Sequence, residues 1–283
     1  MRPIVPAVRA GISRGGIEIR QTLTSREDMG YYVVVGVILL VVLLLQRGTT
    51  FKGTGLPLAT LTLPGILAMQ IFIGGLVGSA SILTVEREDG TLLRAKALPY
   101  GMVGYLTGRV IYVAASGIIS VLVILIPATL LVERVTDGGV AGWLNLFWVL
   151  ALGLLATMPW GAMIGSVFTN PQAAWGNSMI GVGSLVAISG IFYPIQALWG
   201  WVQGIAQVFP VYWLALGMRS AILPDAAAAV EIGNSWRTPE TVAVLAAWAV
   251  AGLLIAPAVL RRMARGEAGS SVEARREKAL QRV

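Results

Sequence analysis

The chain has 283 residues, of which 56% are hydrophobic and only 12% charged, with a net charge of +7 and a mean hydropathy of +0.78. Soluble domains carry about a quarter charged residues, and here Gly138 to Met218 contains no Asp, Glu, Lys or Arg at all, so the composition excludes a water-soluble fold and predicts an all-α polytopic membrane protein. With neither Cys nor His, disulfides, thiolate chemistry, Cys- or His-ligated metals and histidine acid–base catalysis are also excluded.

In chain order, residues 1–28 hold Arg2, Arg9, Arg14, Arg20 and Arg26 and no apolar run of the kind a secretory signal needs. Ile4, Val8, Ile12, Ile19 and Leu23 fall near one helical face, predicting an interfacial segment on the inner leaflet that Gly11, Gly15 and Gly16 break into two pieces. Thr24-Ser25-Arg26-Glu27 has a capping-box pattern and is expected to start the first span. A bilayer-crossing helix needs about 20 largely apolar residues. Six stretches qualify across a core of residues 29–260: Met29–Leu45, Leu61–Thr84, Thr107–Val132, Trp143–Phe168, Ala174–Phe192 and Thr241–Leu260. Arg261 and Arg262 stop the last, and in the tail, 261–283, Ser270 with Glu273 opens a short charged helix to Val283.

Cytoplasmic loops carry the excess of Lys and Arg. With both termini inside, five basic residues precede the first span, Arg87, Arg94, Lys96 and Arg109 follow the second, and seven lie in the tail. The outer connections hold only Arg47, Lys52, Arg134, Arg219 and Arg237. The positive charge is therefore an orientation signal, with both ends cytoplasmic, and not a nucleic-acid footprint.

The predicted spans contain no ionisable residue except Arg109 near the cytoplasmic edge, which argues against proton-coupled transport. Nor is there a G-x-x-x-x-G-K-[ST] phosphate loop; energy for uphill transport must enter through another polypeptide. Gln70, Ser79, Ser81, Asn145, Thr157 and Asn177 supply the polarity available to a path, and Gln70, Ser79, Asn177 and Phe192 are the candidate substrate-path residues. The pairs Gly74/Gly78, Gly104/Gly108 and Gly161/Gly165 have the spacing of close helix packing.

The most informative cytoplasmic segment, dense with charge in a charge-poor chain, follows the second span and runs from Glu86 to Pro99. Glu86, Arg87, Glu88, Asp89, Arg94 and Lys96 alternate with Leu92, Leu93, Ala95, Ala97 and Leu98, which predicts a short amphipathic helix entered from Gly90-Thr91 and ended by Pro99. Charge pairs on such a helix fix the register of a docked soluble partner. After the fifth span come Gly190-Ile191-Phe192-Tyr193-Pro194-Ile195, then Phe209-Pro210-Val211-Tyr212-Trp213 and Arg219. Trp199, Trp201, Tyr212 and Trp213 suit an interfacial aromatic belt, and Gln196–Leu214 is read as short helices dipping into the outer leaflet.

These two segments resemble those of the ABC-2 type permeases, the membrane subunits of drug- or lipid-exporting ABC transporters. Glu86, Arg87, Gly90, Thr91, Leu92 and Arg94 match the family's E-R-x-x-G-T-L-x-R coupling helix, and the second segment matches its G-x-F-x-P and P-x-Y-W pattern with the downstream Arg. Where many relatives carry Leu-Pro, this chain has Leu198-Trp199.

The resemblance implies one ABC-2 transmembrane domain over residues 1–283, in a bacterial plasma membrane. It implies a separate P-loop ATPase that binds ATP and Mg, with no cofactor on this chain, and a pair of permeases, as a homodimer or a heterodimer, in membrane lipid. Glu86, Arg87, Glu88, Gly90, Thr91, Leu92 and Arg94 would couple to the ATPase, and Phe192, Tyr193, Pro194, Pro210, Tyr212 and Trp213 would form outer-gate helices. The cargo implied is drugs or natural products, as in multidrug efflux and antibiotic resistance, or alternatively lipid or glycolipid. Two further alternatives are a non-transporting scaffold and a membrane-embedded lipid transferase. Asp89-Gly90-Thr91-Leu92-Leu93-Arg94 is similar to the D-G-x-x-A-R of alcohol phosphatidyltransferases, but Leu93 stands at the Ala position and the further aspartates are missing.

Overall fold

A computed structural model describes residues 4–50, 55, 57–132 and 139–266; the expected tail helix lies outside them. Apart from one isolated bridge between Thr50 and Pro57, every regular element among the described residues is a helix.

The first helix, α1 (Ile4–Thr24), is continuous. The expected break at Gly11 and Gly15 does not occur. Both glycines face α6 (Gly101–Leu131), where a Cβ at Gly11 would strike the Gly104 carbonyl and one at Gly15 would crowd Ile111 and the Gly108 carbonyl. Their lack of a side chain admits the neighbouring backbone, and that contact offsets their weak helix propensity. Gly16 faces open space. Ile4, Ile12 and Leu23 are exposed, leaving α1 an apolar flank.

The start of α2 (Arg26–Gln46) falls one residue later than the capping box predicts. Ser25 is the cap, its Oγ accepting from the Asp28 amide at 3.2 Å, while the Thr24 hydroxyl turns back to donate to the Arg20 and Gln21 carbonyls. The second span is a composite of α3 (Leu58–Ile73), a π-helical turn at Gly74–Gly78 and α4 (Ser79–Glu88). Then come α5 (Thr91–Ala97), α6, α7 (Gly139–Val167), α8 (Pro171–Ile188), α9 (Gly200–Val208), α10 (Pro210–Ile222) and α11 (Thr238–Gly266). Helices α6, α7 and α11 run several residues beyond the predicted spans, because backbone hydrogen bonding continues past the edge of the apolar window and charged residues such as Arg261 and Arg262 are accommodated in the last turns.

Among the described residues, five helices are long and apolar enough to cross a membrane: α2, the α3–α4 composite, α6, α7 and α11; α9 and α10, bent by 89°, would make a sixth if counted as one span. The predicted fifth span is α8, and it is not among the five. It has 18 residues and starts with a polar stretch that includes Gln172, Asn177 and Ser178. Helix α8 nonetheless packs along α4 and the π turn, joining the two ends of the bundle. Asn170 caps it, its Oδ1 accepting from the Ala173 amide at 2.6 Å.

The core is centred on α3 and α10. Leu63, Ile66, Leu67, Ala68, Ile71 and Phe72 are all buried, as is every residue of α10 from Pro210 to Arg219. This corrects the aromatic-belt reading. Trp199 and Trp201 are exposed at 74% and 65%, but Tyr212 and Trp213 lie in the core, where α10 packs on α3, α7 and α11. The same hydrophobicity that suits an interface also suits a helix enclosed by other helices.

A glycine seam joins the second span to α7. A Cβ at Gly75 would strike Thr157, one at Gly161 the Leu76 carbonyl, and one at Gly165 the Ala80 backbone. The predicted Gly161/Gly165 and Gly104/Gly108 pairs thus both lie at close helix contacts, whereas Gly74 and Gly78 face open space.

Candidate functional site

The last turn of α4 delivers two buried charged residues to different neighbours. The Glu86 carboxylate accepts from the Tyr105 hydroxyl at 2.7 Å and from Arg14 Nη2 at 3.1 Å, and lies 3.3 Å from Arg109 Nη2. Glu18 completes the cluster, accepting from Arg14 Nε at 2.8 Å and pairing with Arg109. Two guanidiniums and two carboxylates from α1, α4 and α6 therefore balance. A buried ion pair offsets its desolvation only when such partners and hydrogen bonds are all present. Partial burial works against the charge on Arg14, but the Glu18 and Glu86 carboxylates outweigh it and raise its pKa above the ordinary arginine value.

Arg87 turns the other way. Its Nη1 donates to the carbonyls of Ser166 at 2.9 Å, Phe168 at 2.8 Å and Gly165 at 3.4 Å. These lie at the C-terminal end of α7, where carbonyls lack helical partners and the dipole favours a cation. Arg87→Lys keeps the charge but loses the planar fork; we expect a loss of about 1–2 kcal/mol, read as a lower melting temperature in detergent, and an unchanged melting temperature would contradict this capping role.

Beyond Asp89 the chain turns at Gly90, whose φ of +78° is the left-handed conformation that favours glycine. Asp89 Oδ1 accepts from the Thr91 amide at 2.7 Å, and Arg94 Nη2 donates to the Thr91 hydroxyl at 2.9 Å. Leu92 and Ala95 face inward, while Lys96 Nζ donates to the Ala264 carbonyl of α11 at 2.6 Å. Asp89, Arg94, Leu98, Pro99 and Tyr100 are exposed, and Glu88 is half-buried.

Of the residues predicted to couple to a partner, Glu86, Arg87, Gly90 and Leu92 are buried, whereas Arg94 is exposed and Thr91 half-buried. Arg14, Glu18, Tyr105 and Arg109 are the members of the cluster that the sequence reading left out. The i,i+4 spacing of Arg14 and Glu18 was its one visible sign.

The second predicted segment lies at the opposite end. Gly190 sits at φ +65°, where a Cβ would press on Ile195, and its carbonyl accepts from Arg219 Nη1 at 3.2 Å. Arg219 Nε pairs with Glu231 Oε1 at 2.7 Å, both side chains buried, and Gln196 Nε2 donates to the Glu231 carbonyl at 2.9 Å. Phe192, Tyr193 and Pro194 line a pocket of about 130 Å³ beside this pair. Pro210 opens α10, and Trp213 Nε1 donates to the Gln207 carbonyl at 2.6 Å while Arg237 stacks 4.7 Å from its ring. Glu231, which neutralises Arg219, had no motif to reveal it.

The candidate path residues are not brought together. Gln70 Nε2 donates to the Ser120 hydroxyl at 2.7 Å, tying α3 to α6. Asn177 is exposed on α8 and donates to the Ala173 carbonyl at 2.8 Å. Ser79 lines a cavity of about 230 Å³ near α5, and Phe192 the pocket at the other end. Among the described residues no group of three or more His, Cys, Asp or Glu is placed to hold a metal ion.

Residues 17–223 match the family model described as ABC-2 type transporter. That stretch runs from within α1 to the end of α10 and includes Glu18, Glu86, Arg87, Arg109 and Arg219, while Arg14 and Glu231 lie just outside it. A comparison with curated proteins finds no match. Members of this family are membrane transport components that associate with an ATPase subunit. The chain belongs to the ABC-2 type transporter family, as a multi-pass membrane permease.

Proposed function

We propose that this chain is the permease subunit of an ATP-driven exporter of amphiphilic or hydrophobic compounds, drugs or natural products among them, with α5 seated on a separate P-loop ATPase. The observation that carries the reading is the wiring of the α4–α5 junction. An exposed face containing Asp89 and Arg94 is continuous, through two residues of α4, with α1 and α6 on one side and α7 on the other. A push on α5 moves Glu86 and Arg87 together. The Glu86 cluster passes the displacement to α1 and α6, and Arg87 passes it to the end of α7.

On this reading the α5 end is cytoplasmic, in a bacterial plasma membrane, and so are both termini, as the basic residues favour. Two copies, of this chain or of this chain with a similar permease, enclose the path, and the Gly190–Trp213 segment closes its outer end. ATP and Mg bind the ATPase. The near-absence of charge in the spans favours amphiphiles that enter from the bilayer; lipid or glycolipid export fits the same composition, and transport assays with each cargo class separate the two.

The test begins with gentle purification of the tagged full chain from native membranes. A soluble P-loop ATPase is expected to co-purify and to be lost from the Asp89→Arg/Arg94→Glu variant, whose substitutions lie on the exposed face. Gly90→Pro, which cannot adopt the positive φ of the turn, is expected to insert normally yet leave ATP hydrolysis without export. Full export by that variant overturns the coupling role of α5, and recovery of the chain alone across several detergents overturns the transporter reading.

A further inference from the structure

The flank of the bundle between α6 and α11 opens onto a cavity of about 230 Å³. Its walls are Leu83 of α4, Val113 of α6, Met158 and Ala162 of α7, and Ala256 and Leu260 of α11, with Leu92 of α5 at one end. The volume exceeds the roughly 150 Å³ of an engineered apolar cavity that stays dry and takes up benzene.

Polar atoms in the wall come from Ser79, Tyr105 and Arg109. The Tyr105 hydroxyl is spent on Glu86, and the charge of Arg109 is balanced by Glu18 and Glu86. The Arg109 Nε is buried without a hydrogen-bond partner among the described residues, but with its charge already balanced the rest of what the cavity presents is a hydrocarbon wall. Leu106, Val110 and Leu253 line it and are also exposed on the outside of the bundle. They belong to helices long and apolar enough to cross the membrane, and the medium that meets this mouth is therefore acyl chain.

The end of α11 adds charge of one sign. Leu260 and Met263 line the cavity, and Arg261, Arg262 and Arg265 beside them are exposed, with no acidic residue in α11 after Glu240. A run of basic residues at the end of a membrane-crossing helix attracts anionic headgroups. We propose that the cavity holds an acyl chain of an anionic bilayer phospholipid, whose headgroup phosphate lies against Arg261, Arg262 and Arg265. This site lies within a single chain and does not depend on the cargo.

Native mass spectrometry of the detergent-purified full chain, titrated with phosphatidylglycerol or phosphatidylcholine, tests the proposal. One phosphatidylglycerol per chain is expected, retained about tenfold more strongly than phosphatidylcholine. Ala162→Trp, which fills the cavity from the α7 wall, should lose that bound lipid. The Arg261→Gln/Arg262→Gln/Arg265→Gln variant should still bind a lipid but hold the two kinds alike. Equal retention of both lipids by the unmodified chain overturns the proposal, and so does undiminished binding by Ala162→Trp. Should the tryptophan variant fail to fold, the triple variant decides alone: a preserved preference for phosphatidylglycerol overturns the site. Lipid found on monomers but displaced from dimers would assign the cavity to a second copy of the chain and overturn it equally.

Discussion

Glu86→Ala is expected to destabilise the protein by about 3–5 kcal/mol, the cost typical of removing one partner from a buried ion pair. Glu86 is 6% exposed, and its carboxylate meets Arg14, Arg109 and the Tyr105 hydroxyl. Without it, two guanidiniums share Glu18 alone, and Tyr105 loses its acceptor. The measurement is the melting temperature of the full chain in detergent, with Arg14→Gln and the Glu86→Gln/Arg14→Gln pair alongside. Because the two residues touch, their effects should not add. The double variant removes one charge of each sign and should be more stable than Glu86→Gln alone. Additive losses, or a Glu86→Ala variant that melts like the unmodified chain, would show that the cluster does not hold α4 to α1 and α6.

The second large effect is expected at the seam between α7 and the second span. Gly161→Ala places a methyl group against the carbonyls of Leu76 and Gly75, and Gly75→Ala places one against Thr157. Overpacking costs about 1–3 kcal/mol in ordinary cores. Here the obstructing atoms at Gly161 are backbone, so the helices must separate, and we expect a loss at or above the top of that range. Gly74→Ala and Gly78→Ala are the controls, since both positions face open space within the same turn. They should be neutral, or stabilising by up to about 1 kcal/mol from helix propensity. If all four variants melt alike, the close approach of α7 to this turn is not what holds the two helices together.

The membrane character of the chain was legible because the absence of charge over a long stretch leaves no alternative, and the spans followed from the same pattern. The location of α5 was legible for the opposite reason, within a dense run of charge from Glu86 to Lys96 that Gly90 and Pro99 punctuate. What hydropathy does not carry is the difference between facing lipid and facing protein. Tyr212 and Trp213 have the composition of an interfacial anchor, yet they sit at the centre of the bundle, because lipid and a packed core solvate an aromatic ring in much the same way. Gly11 and Gly15 were misread on similar grounds. Helix propensity in water predicts a break, and the gain from backbone contact with Gly104 and Gly108 outweighs it. Apart from the i,i+4 spacing of Arg14 and Glu18, the partners of Glu86 and Arg219 had no local signature, since the fold and not spacing along the chain brings Arg14, Arg109 and Glu231 to them. The fifth span shows the limit from the other side. Gln172, Asn177 and Ser178 depress the hydropathy of α8, although its place beside α4 and the π turn carries it from one end of the bundle to the other.

The π turn at Gly74–Gly78 has an angular consequence for the residues below it. A turn of this kind accommodates one residue more than the α-helical path around it, and each α-helical residue advances by about 100°. Everything from Ser79 onward is therefore out of phase with α3 by one step. Were the span straightened into a continuous α-helix, the slot between Arg14 and Arg109 would fall to Val85, which now faces outward at 47% exposure. Glu86 would move into the slot of Arg87 and present a carboxylate to the carbonyls of Gly165, Ser166 and Phe168. Five residues in the middle of the span thus set which charge reaches which helix three turns away. The identity of the Glu-Arg pair and the phase of the turn above it form a single specification.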